Sequence, residues 1–148
     1  MDLPPILVVE DDPVHAELVT EVLASCGLLN PVAVARDAAQ ARAYLQEHVR
    51  GAEGRAALPV LALLDGHLPV GSGLELLAWM KGEPELTEIP VVMLTSSDEA
   101  GDIDRARELG AAMYLVKPVG FDALVRAVRQ LGVPWALARK DAVNGAGS

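Results

Sequence analysis

The stretch that decides the fold is Leu58-Pro59-Val60-Leu61-Ala62-Leu63-Leu64-Asp65, in which apolar residues run without interruption up to an acid. A run this short and continuously apolar is typical of a β-strand that is buried on both faces. Similar short aliphatic runs recur along the chain, so the sequence predicts five strands. Their predicted bounds are Ile6–Val9, Val32–Ala35, Val60–Leu64, Val91–Leu94 and Met113–Val116.

The segments between these runs have the spacing of amphipathic helices. Val14, Leu18 and Val22 recur every four residues after the first run, and Pro13 stands at the predicted helix start. Strand and helix alternating five times imply a parallel sheet, because parallel neighbours need a crossover connection. The prediction is a doubly wound α/β fold, (βα)₅ and flavodoxin-like, with five parallel strands in the order 2-1-3-4-5.

Composition narrows the classes of function. The 148 residues carry a net charge of −9, whereas nucleic-acid binding needs clustered Lys and Arg, so we expect no nucleic-acid partner. The longest apolar stretch, which contains Leu58 to Leu64, is too short to span a bilayer, and no basic segment precedes the first run. We therefore expect a cytoplasmic protein without membrane contact. One domain is predicted over residues 1–133, followed by a C-terminal extension, partly disordered, over 134–148.

Four of the five apolar runs are followed by polar groups that would converge at the sheet edge where ligands bind in parallel folds. Each has an ordinary structural explanation when taken alone. The acids before Pro13 could favour a helix N-terminus, Asp65 could cap a turn, the hydroxyls could start a helix, and Lys117 could be solvated. The residues concerned are Glu10, Asp11 and Asp12, then Asp65, then Thr95, Ser96 and Ser97, and finally Lys117.

Taken together, these residues predict a phosphoryl site. Carboxylates clustered in one cleft are unfavourable unless a cation compensates them, and hard oxygen ligands favour Mg²⁺. A lysine and a hydroxyl facing a metal-bound carboxylate would balance the charge of a phosphoryl group and hold its oxygens. Lys117 and Thr95 suit those roles, which leaves Asp65 as the carboxylate that attacks phosphorus.

The same residues resemble a known family. The pattern Val-Val-Glu10-Asp11, Leu-Leu-Asp65 with Pro69 and Gly73, Leu-Thr95-Ser and Lys117-Pro118 is similar to the CheY-like receiver domains of two-component systems. Thr95 follows Asp65 by 30 residues and Lys117 follows it by 52, and these spacings resemble those of the chemotaxis receiver. The resemblance runs from about Ile6 to Leu131.

The resemblance implies a role for each matching residue. Asp65 would be the phosphoacceptor and a metal ligand. Asp11 would bind Mg²⁺ directly, Glu10 would act on it mostly through water, and the main-chain carbonyl of His67 would complete the protein ligands. Lys117, with Thr95 and Ser96, would contact the phosphoryl group. The switch residues would be Thr95 and Tyr114.

The resemblance also implies a partner and a mode of action. A single-domain response regulator accepts its phosphoryl group from a sensor histidine kinase and signals by conformational switching through protein contacts. It is no enzyme beyond catalysing its own phosphotransfer and autodephosphorylation. The segment Glu88 to Ser97, the loop insertion at 51–58 and a tryptophan after the last helix further resemble stand-alone receivers that serve bacterial phytochromes.

Other interpretations stay open at this point. A haloacid-dehalogenase-like Mg²⁺-dependent phosphohydrolase uses similar groups, but it has a second acid two residues after its nucleophile, where this chain has His67. A phosphorylation-independent interaction module would keep only the fold. We expect no role for the His67 side chain, and we expect His15 and His48 on helix surfaces. We predict a homodimer through the face of the fourth helix, fifth strand and fifth helix, helped by the apolar segment with Trp135. The alternative is that Trp135 folds back and caps its own domain.

Overall fold

The computed structural model describes residues 4–25, 29–50, 58–68, 72–95, 100–117 and 120–130. Within these ranges five strands and five helices alternate along the chain, as the sequence predicts. The strands are β1 (Ile6–Val9), β2 (Val32–Ala35), β3 (Leu61–Asp65), β4 (Val91–Thr95) and β5 (Met113–Val116). The helices are α1 (Pro13–Ser25), α2 (Ala38–Arg50), α3 (Gly73–Gly82), α4 (Ala100–Glu108) and α5 (Phe121–Gln130).

The strands form one parallel sheet in the order β2-β1-β3-β4-β5. This confirms the predicted doubly wound fold and its strand order. Because the chain leaves β1 for β2 on one side and β3 lies on the other, the order reverses between β1 and β3. Their carboxyl ends therefore flank the crevice in which such folds bind ligands.

The core lies in two layers, one on each face of the sheet. Alternate strand residues point to opposite faces, so Leu7 and Leu64 pack with residues of α2, α3 and α4, whereas Val8 and Leu63 pack with residues of α1 and α5. Strands β1, β3 and β4 are buried along their whole length, as their continuous apolar sequences predict. The buried strands form the rigid base from which the polar residues project.

Two strands end one residue later than predicted. The sequence prediction stopped β3 at Leu64 and β4 at Leu94 because the next side chains are polar, but the strands include Asp65 and Thr95. Main-chain hydrogen bonding does not depend on side-chain polarity, and Asp65 pairs with Leu94 in the ladder. The main chain of both polar residues is thus held in the sheet.

Helix α1 presents a different face to the core from the one predicted. The residues expected to pack inward include Val14, which is 75% exposed, and Leu18, which is 37% exposed. The buried face instead contains His15, Ala16, Val19 and Leu23. The prediction was wrong for Val14 and Leu18 but not for Val22, which packs against the core, because both series repeat every four residues and only the packing direction separates them. No helix in the described part of the chain is long and apolar enough to cross a membrane.

Candidate functional site

The ends of β1, β3 and β5 bring two acids and a lysine into contact. Glu10 directly follows β1, Asp65 is the last residue of β3, and Lys117 directly follows β5. Lys117 Nζ lies 2.9 Å from Glu10 Oε1 and 2.9 Å from Asp65 Oδ2. The two carboxyl side chains are almost wholly buried, whereas the lysine side chain is 18% exposed. One cation therefore bridges two buried acids at the sheet edge.

A third acid completes a cluster of carboxylates. Glu10, Asp11 and Asp65 each offer a carboxylate oxygen, and these oxygens lie within 4.8 Å of one another. Asp11 is exposed while the other two are buried, so the cluster opens to solvent on one side. Hard oxygen donors in this number suit a divalent cation such as Mg²⁺, which takes one or two carboxylates and keeps several waters. The donor set therefore fits the predicted metal.

The segment after β3 is held tightly against Asp65. The main-chain N–H of His67 donates to Asp65 Oδ1 at 2.9 Å, and the N–H of Gly66 donates to the Leu94 carbonyl at 2.8 Å. Gly73, the first residue of α3, approaches so closely that a Cβ there would lie 2.2 Å from the main-chain oxygen of Asp65. The His67 amide therefore holds one oxygen of the Asp65 carboxylate, while Gly73 packs against the main chain of the same residue.

The charges in this crevice move the pKa values of all three groups. Burial and the neighbouring Asp65 raise the pKa of Glu10 above its usual range, against the opposing effect of Lys117 and other donors. Burial also acts to raise the pKa of Asp65, but hydrogen bonds with Glu10, the His67 amide and Lys117 outweigh it, and the pKa is lowered. Burial acts to lower the pKa of Lys117, but its two acidic partners raise it. Asp65 is therefore held as a carboxylate and Lys117 as an ammonium.

Thr95, the last residue of β4, lines a cavity beside this crevice. The Thr95 residue is only 9% exposed at the end of β4, and its carbonyl accepts a 2.6 Å hydrogen bond from the N–H of Lys117. Tyr114, on β5, is 38% exposed. Thr95 and Tyr114 both line this cavity, which has a volume of about 230 Å³. It is lined by Gly66, His67, Ser72, Leu74, Met93, Thr95, Ile103, Ala106 and Tyr114.

The structure brings together most of the residues that the sequence singles out. Glu10, Asp11, Asp65 and Lys117 share the crevice, and Thr95 lies at the adjacent strand end. Tyr114 and His67 line the cavity beside it. Three of the residues that the sequence singles out, Ser96, Ser97 and Trp135, lie outside the described residues.

Sequence reasoning missed one residue of this crevice. His15 was expected on a helix surface, but it is 9% exposed and its Nδ1 lies 2.5 Å from Glu10 Oε1. The physical reason is that α1 begins at Pro13, so its third residue points back toward the end of β1. The available signal was the spacing of His15 with Val19 and Leu23, which repeats every four residues. His48 is half-buried on α2, and its Nδ1 contacts the carbonyl of Tyr44 at 2.8 Å.

Comparison with known proteins agrees with this geometry. Residues 6–129 match the response regulator receiver domain. Response regulator Rcp1 of Synechocystis sp. is 37% identical over 130 residues, which are 88% of this chain and 87% of the relative. A solved Mn²⁺-bound form of Rcp1 has a TM-score of 0.71 at 35% identity, covering 90% of this chain and 94% of that chain.

Two further solved structures are similar over nearly the whole chain. The bacteriophytochrome response regulator AtBRR has a TM-score of 0.78 at 46% identity, covering 93% of this chain and 99% of that one. The phosphorylated cyanobacterial phytochrome response regulator RcpA has a TM-score of 0.72 at 34% identity, covering 87% and 91%.

The fold, the acidic crevice and these similarities define a phosphoacceptor signalling domain. The chain belongs to the response regulator receiver domain family and is similar to the stand-alone receivers Rcp1 and AtBRR. Such domains bind a divalent metal, take phosphoryl groups from histidine kinases and act as signalling proteins rather than as enzymes. The alternative of a haloacid-dehalogenase-like phosphohydrolase finds no support.

Proposed function

We propose that Asp65 is the residue that accepts the phosphoryl group. The observation that supports this most strongly is the pair of 2.9 Å contacts from Lys117 Nζ to Asp65 and Glu10, beside a third carboxylate. An Asp65 oxygen would form the new bond to phosphorus while the bond from phosphorus to a kinase histidine nitrogen breaks. The histidine nitrogen keeps the electron pair of that bond. The lowered pKa of Asp65 supports this role, because only the carboxylate is nucleophilic.

The same proposal gives the metal site to Mg²⁺. Asp11 and Asp65 would bind the ion directly, Glu10 would act mostly through water, and the main-chain carbonyl of His67 would be the remaining protein ligand. When bound, the ion neutralises charge on the acids and on the incoming phosphoryl group. The cluster of hard oxygen donors supports this choice, as does the Mn²⁺ carried by Rcp1.

Lys117, Thr95 and Ser96 are proposed to hold the transferred phosphoryl group. Lys117 is half-buried between the two acids, so one salt bridge would be exchanged for contact with a phosphoryl oxygen. Thr95 stands at the end of the strand between Asp65 and Lys117, where a short movement of its hydroxyl would reach the new group. This movement would leave room that Tyr114, now 38% exposed, fills by packing inward.

The partners follow from the same reasoning. We propose that the phosphoryl donor is a sensor histidine kinase of the bacterial phytochrome type, which the similarity to AtBRR and RcpA supports. The receiver would span residues 1–133 in the cytoplasm, with the extension 134–148 and its Trp135 assisting homodimerisation.

Phosphotransfer to defined variants tests this proposal. The wild type should be labelled by a phosphohistidine donor with Mg²⁺ and remain unlabelled with a chelator. Asp65→Asn should abolish labelling, and Asp11→Asn should weaken metal affinity. Asp104→Asn, a matched change on the exposed face of α4, should be labelled like the wild type. Undiminished labelling of the Asp65→Asn protein would place the acceptor elsewhere.

A further inference from the structure

We propose that His15 is a positioning residue for Glu10, and that through Glu10 it sets the affinity of the acidic cluster for a divalent cation. The inference deepens the proposed function and rests on it. It concerns a residue that the sequence does not single out. Its starting point is the contact between His15 Nδ1 and Glu10 Oε1 at 2.5 Å.

His15 is buried, and its contact with Glu10 is the polar contact that its ring makes among the described residues. The residue is 9% exposed on the inward face of α1, with Ala16 and Val19 beside it. Its other ring nitrogen, Nε2, is enclosed and has no hydrogen-bond partner among the described residues. A buried polar atom without a partner is unfavourable, so an apolar side chain would suit this position better if packing alone mattered. The imidazole is therefore connected to its polar surroundings through Glu10.

Glu10 is a side chain that needs positioning. Its Oε1 faces both His15 Nδ1 and Lys117 Nζ, and its Oε2 accepts from the N–H of Asp12 at 3.3 Å. Lys117 also contacts Asp65, so the lysine alone does not define where the Glu10 carboxylate lies. The histidine approaches from α1, which is a different direction from that of β5. With both contacts in place, Glu10 has one defined orientation toward the other acids.

Loss of the His15 contact should weaken binding of the cation. Groups that hydrogen-bond a ligating carboxylate fix its orientation, and their loss typically lowers metal affinity about 10- to 100-fold. His15→Leu keeps an apolar volume in the buried site and removes the Nδ1 contact. We expect the affinity for Mn²⁺ to fall by at least about tenfold in this variant. Electron paramagnetic resonance of free Mn²⁺ during a titration measures that affinity without any phosphotransfer.

Two further variants separate positioning from packing. The amide nitrogen of Asn is as many bonds from Cβ as Nδ1 of histidine, whereas that of Gln is one bond farther and corresponds to Nε2. His15→Asn should therefore restore Mn²⁺ affinity and His15→Gln should not. His48→Leu is the matched control, because His48 is half-buried on α2 and contacts the Tyr44 carbonyl. Its Mn²⁺ affinity should equal that of the wild type.

NMR of the histidine rings tests the contact in the wild-type protein. Long-range ¹H–¹⁵N correlation of the imidazoles should show the proton of His15 on Nδ1, and its ring signals should move when Mg²⁺ is added to chelator-treated protein. Ring signals that stay fixed through the Mg²⁺ titration would overturn the positioning role.

Mn²⁺ binding distinguishes a wrong role for His15 from a wrong metal site. If the wild type and His15→Leu bind Mn²⁺ equally well, the role of His15 is wrong and the metal site stands. Equal loss of affinity in His15→Asn and His15→Gln, both folded by circular dichroism, would likewise overturn positioning through Nδ1. If the wild type binds Mn²⁺ no better than Asp11→Asn does, the proposed metal site is wrong and the inference is wrong with it.

Discussion

Lys117 Nζ lies 2.9 Å from Asp65 Oδ2, so the residue after β5 and the last residue of β3 form an ion pair across β4. The Asp65 side chain is 2% exposed, and the pair is thus unlike a solvated surface salt bridge. Because the lysine also contacts Glu10, one ammonium balances two buried carboxylates. Whatever binds in this crevice must therefore replace or complement that single positive charge.

Removal of the lysine charge should slow phosphoryl uptake. Lys117→Met leaves Asp65 and Glu10 without their cation and removes the donor that would meet the phosphoryl oxygens. The loss of one such preorganised donor lowers a rate by about 10²- to 10³-fold. We expect a decrease of this order in phosphorylation by a small-molecule phosphodonor at saturating Mg²⁺. Arg105→Met, on the exposed face of α4, should react at the wild-type rate. Equal rates for all three proteins would remove Lys117 from the reaction.

Gly73 should tolerate no side chain. A Cβ at residue 73 would lie 2.2 Å from the main-chain oxygen of Asp65, so β3 or α3 must shift in Gly73→Ala. Overpacking of this kind costs about 1–3 kcal/mol of unfolding free energy. Gly82→Ala is the matched control at the other end of α3, where an added Cβ meets nothing within 4 Å. Urea unfolding should show a destabilised Gly73→Ala and a Gly82→Ala at least as stable as the wild type. A Gly73→Ala as stable as the wild type would contradict the contact.

Metal-free stability should depend on pH through Glu10. Burial and Asp65 raise its pKa in the folded protein, so the native state binds more protons than the unfolded state above the ordinary value of 4.5. The unfolding free energy from this group therefore falls as pH rises through that window. Asp65 has the opposite sign, because its lowered pKa stabilises the fold above its unfolded value and that contribution is lost as pH falls.

The variant Glu10→Gln removes the first of these two contributions. In the presence of a chelator, its stability relative to the wild type should increase from about pH 4.5 toward neutral pH. Glu17→Gln, which changes an exposed carboxyl on α1, should follow the wild type. Urea unfolding across this pH range provides the measurement. Parallel profiles for Glu10→Gln and the wild type would show that Glu10 titrates normally.

The sequence predicts the fold well because the central strands are buried on both faces. Runs such as Ile6–Val9 favour strands buried on both faces, and the strand order is the flavodoxin-like one that doubly wound sheets commonly adopt. The acids at the ends of those runs are predictable for the same reason, since strand ends share an edge. His15 was missed because helical periodicity allows both the Val14 series and the Val19 series to face inward. That choice depends on how α1 packs on the sheet, which is a tertiary property.

Thr95 should couple phosphorylation to the α4–β5–α5 region. Thr95 lines the same cavity as Tyr114 and ends the strand that lies between those of Asp65 and Lys117, so a phosphoryl group on Asp65 would draw its hydroxyl away from that cavity. A ligand shifts such an equilibrium only through contacts that differ between the two states. Thr95→Ala should still accept a phosphoryl group but respond weakly to beryllofluoride with Mg²⁺ in the amide NMR shifts of α4 to α5. Thr95→Ser retains the hydroxyl and should respond as the wild type does. Unchanged shifts in the wild type would disprove the coupling.

The face formed by α4, β5 and α5 should carry a homodimer contact. Strand β5 is at the edge of the sheet, with Tyr114 38% and Val116 48% exposed. A groove of about 380 Å³ runs between this strand and the two helices, and Arg126 is among its lining residues. Exposed apolar residues around such a groove are typical of interfaces, and a twofold axis would place the same face on both subunits.

Sedimentation at micromolar concentration tests this contact. It should show a dimer for the wild type, weakened by Arg126→Glu and unaffected by Arg42→Glu on α2. A chain truncated after Leu131 should dimerise less, because it lacks the apolar segment with Trp135. A wild type that is monomeric with and without phosphorylation would exclude the dimer, and a truncated chain that dimerises fully would exclude a role for that segment.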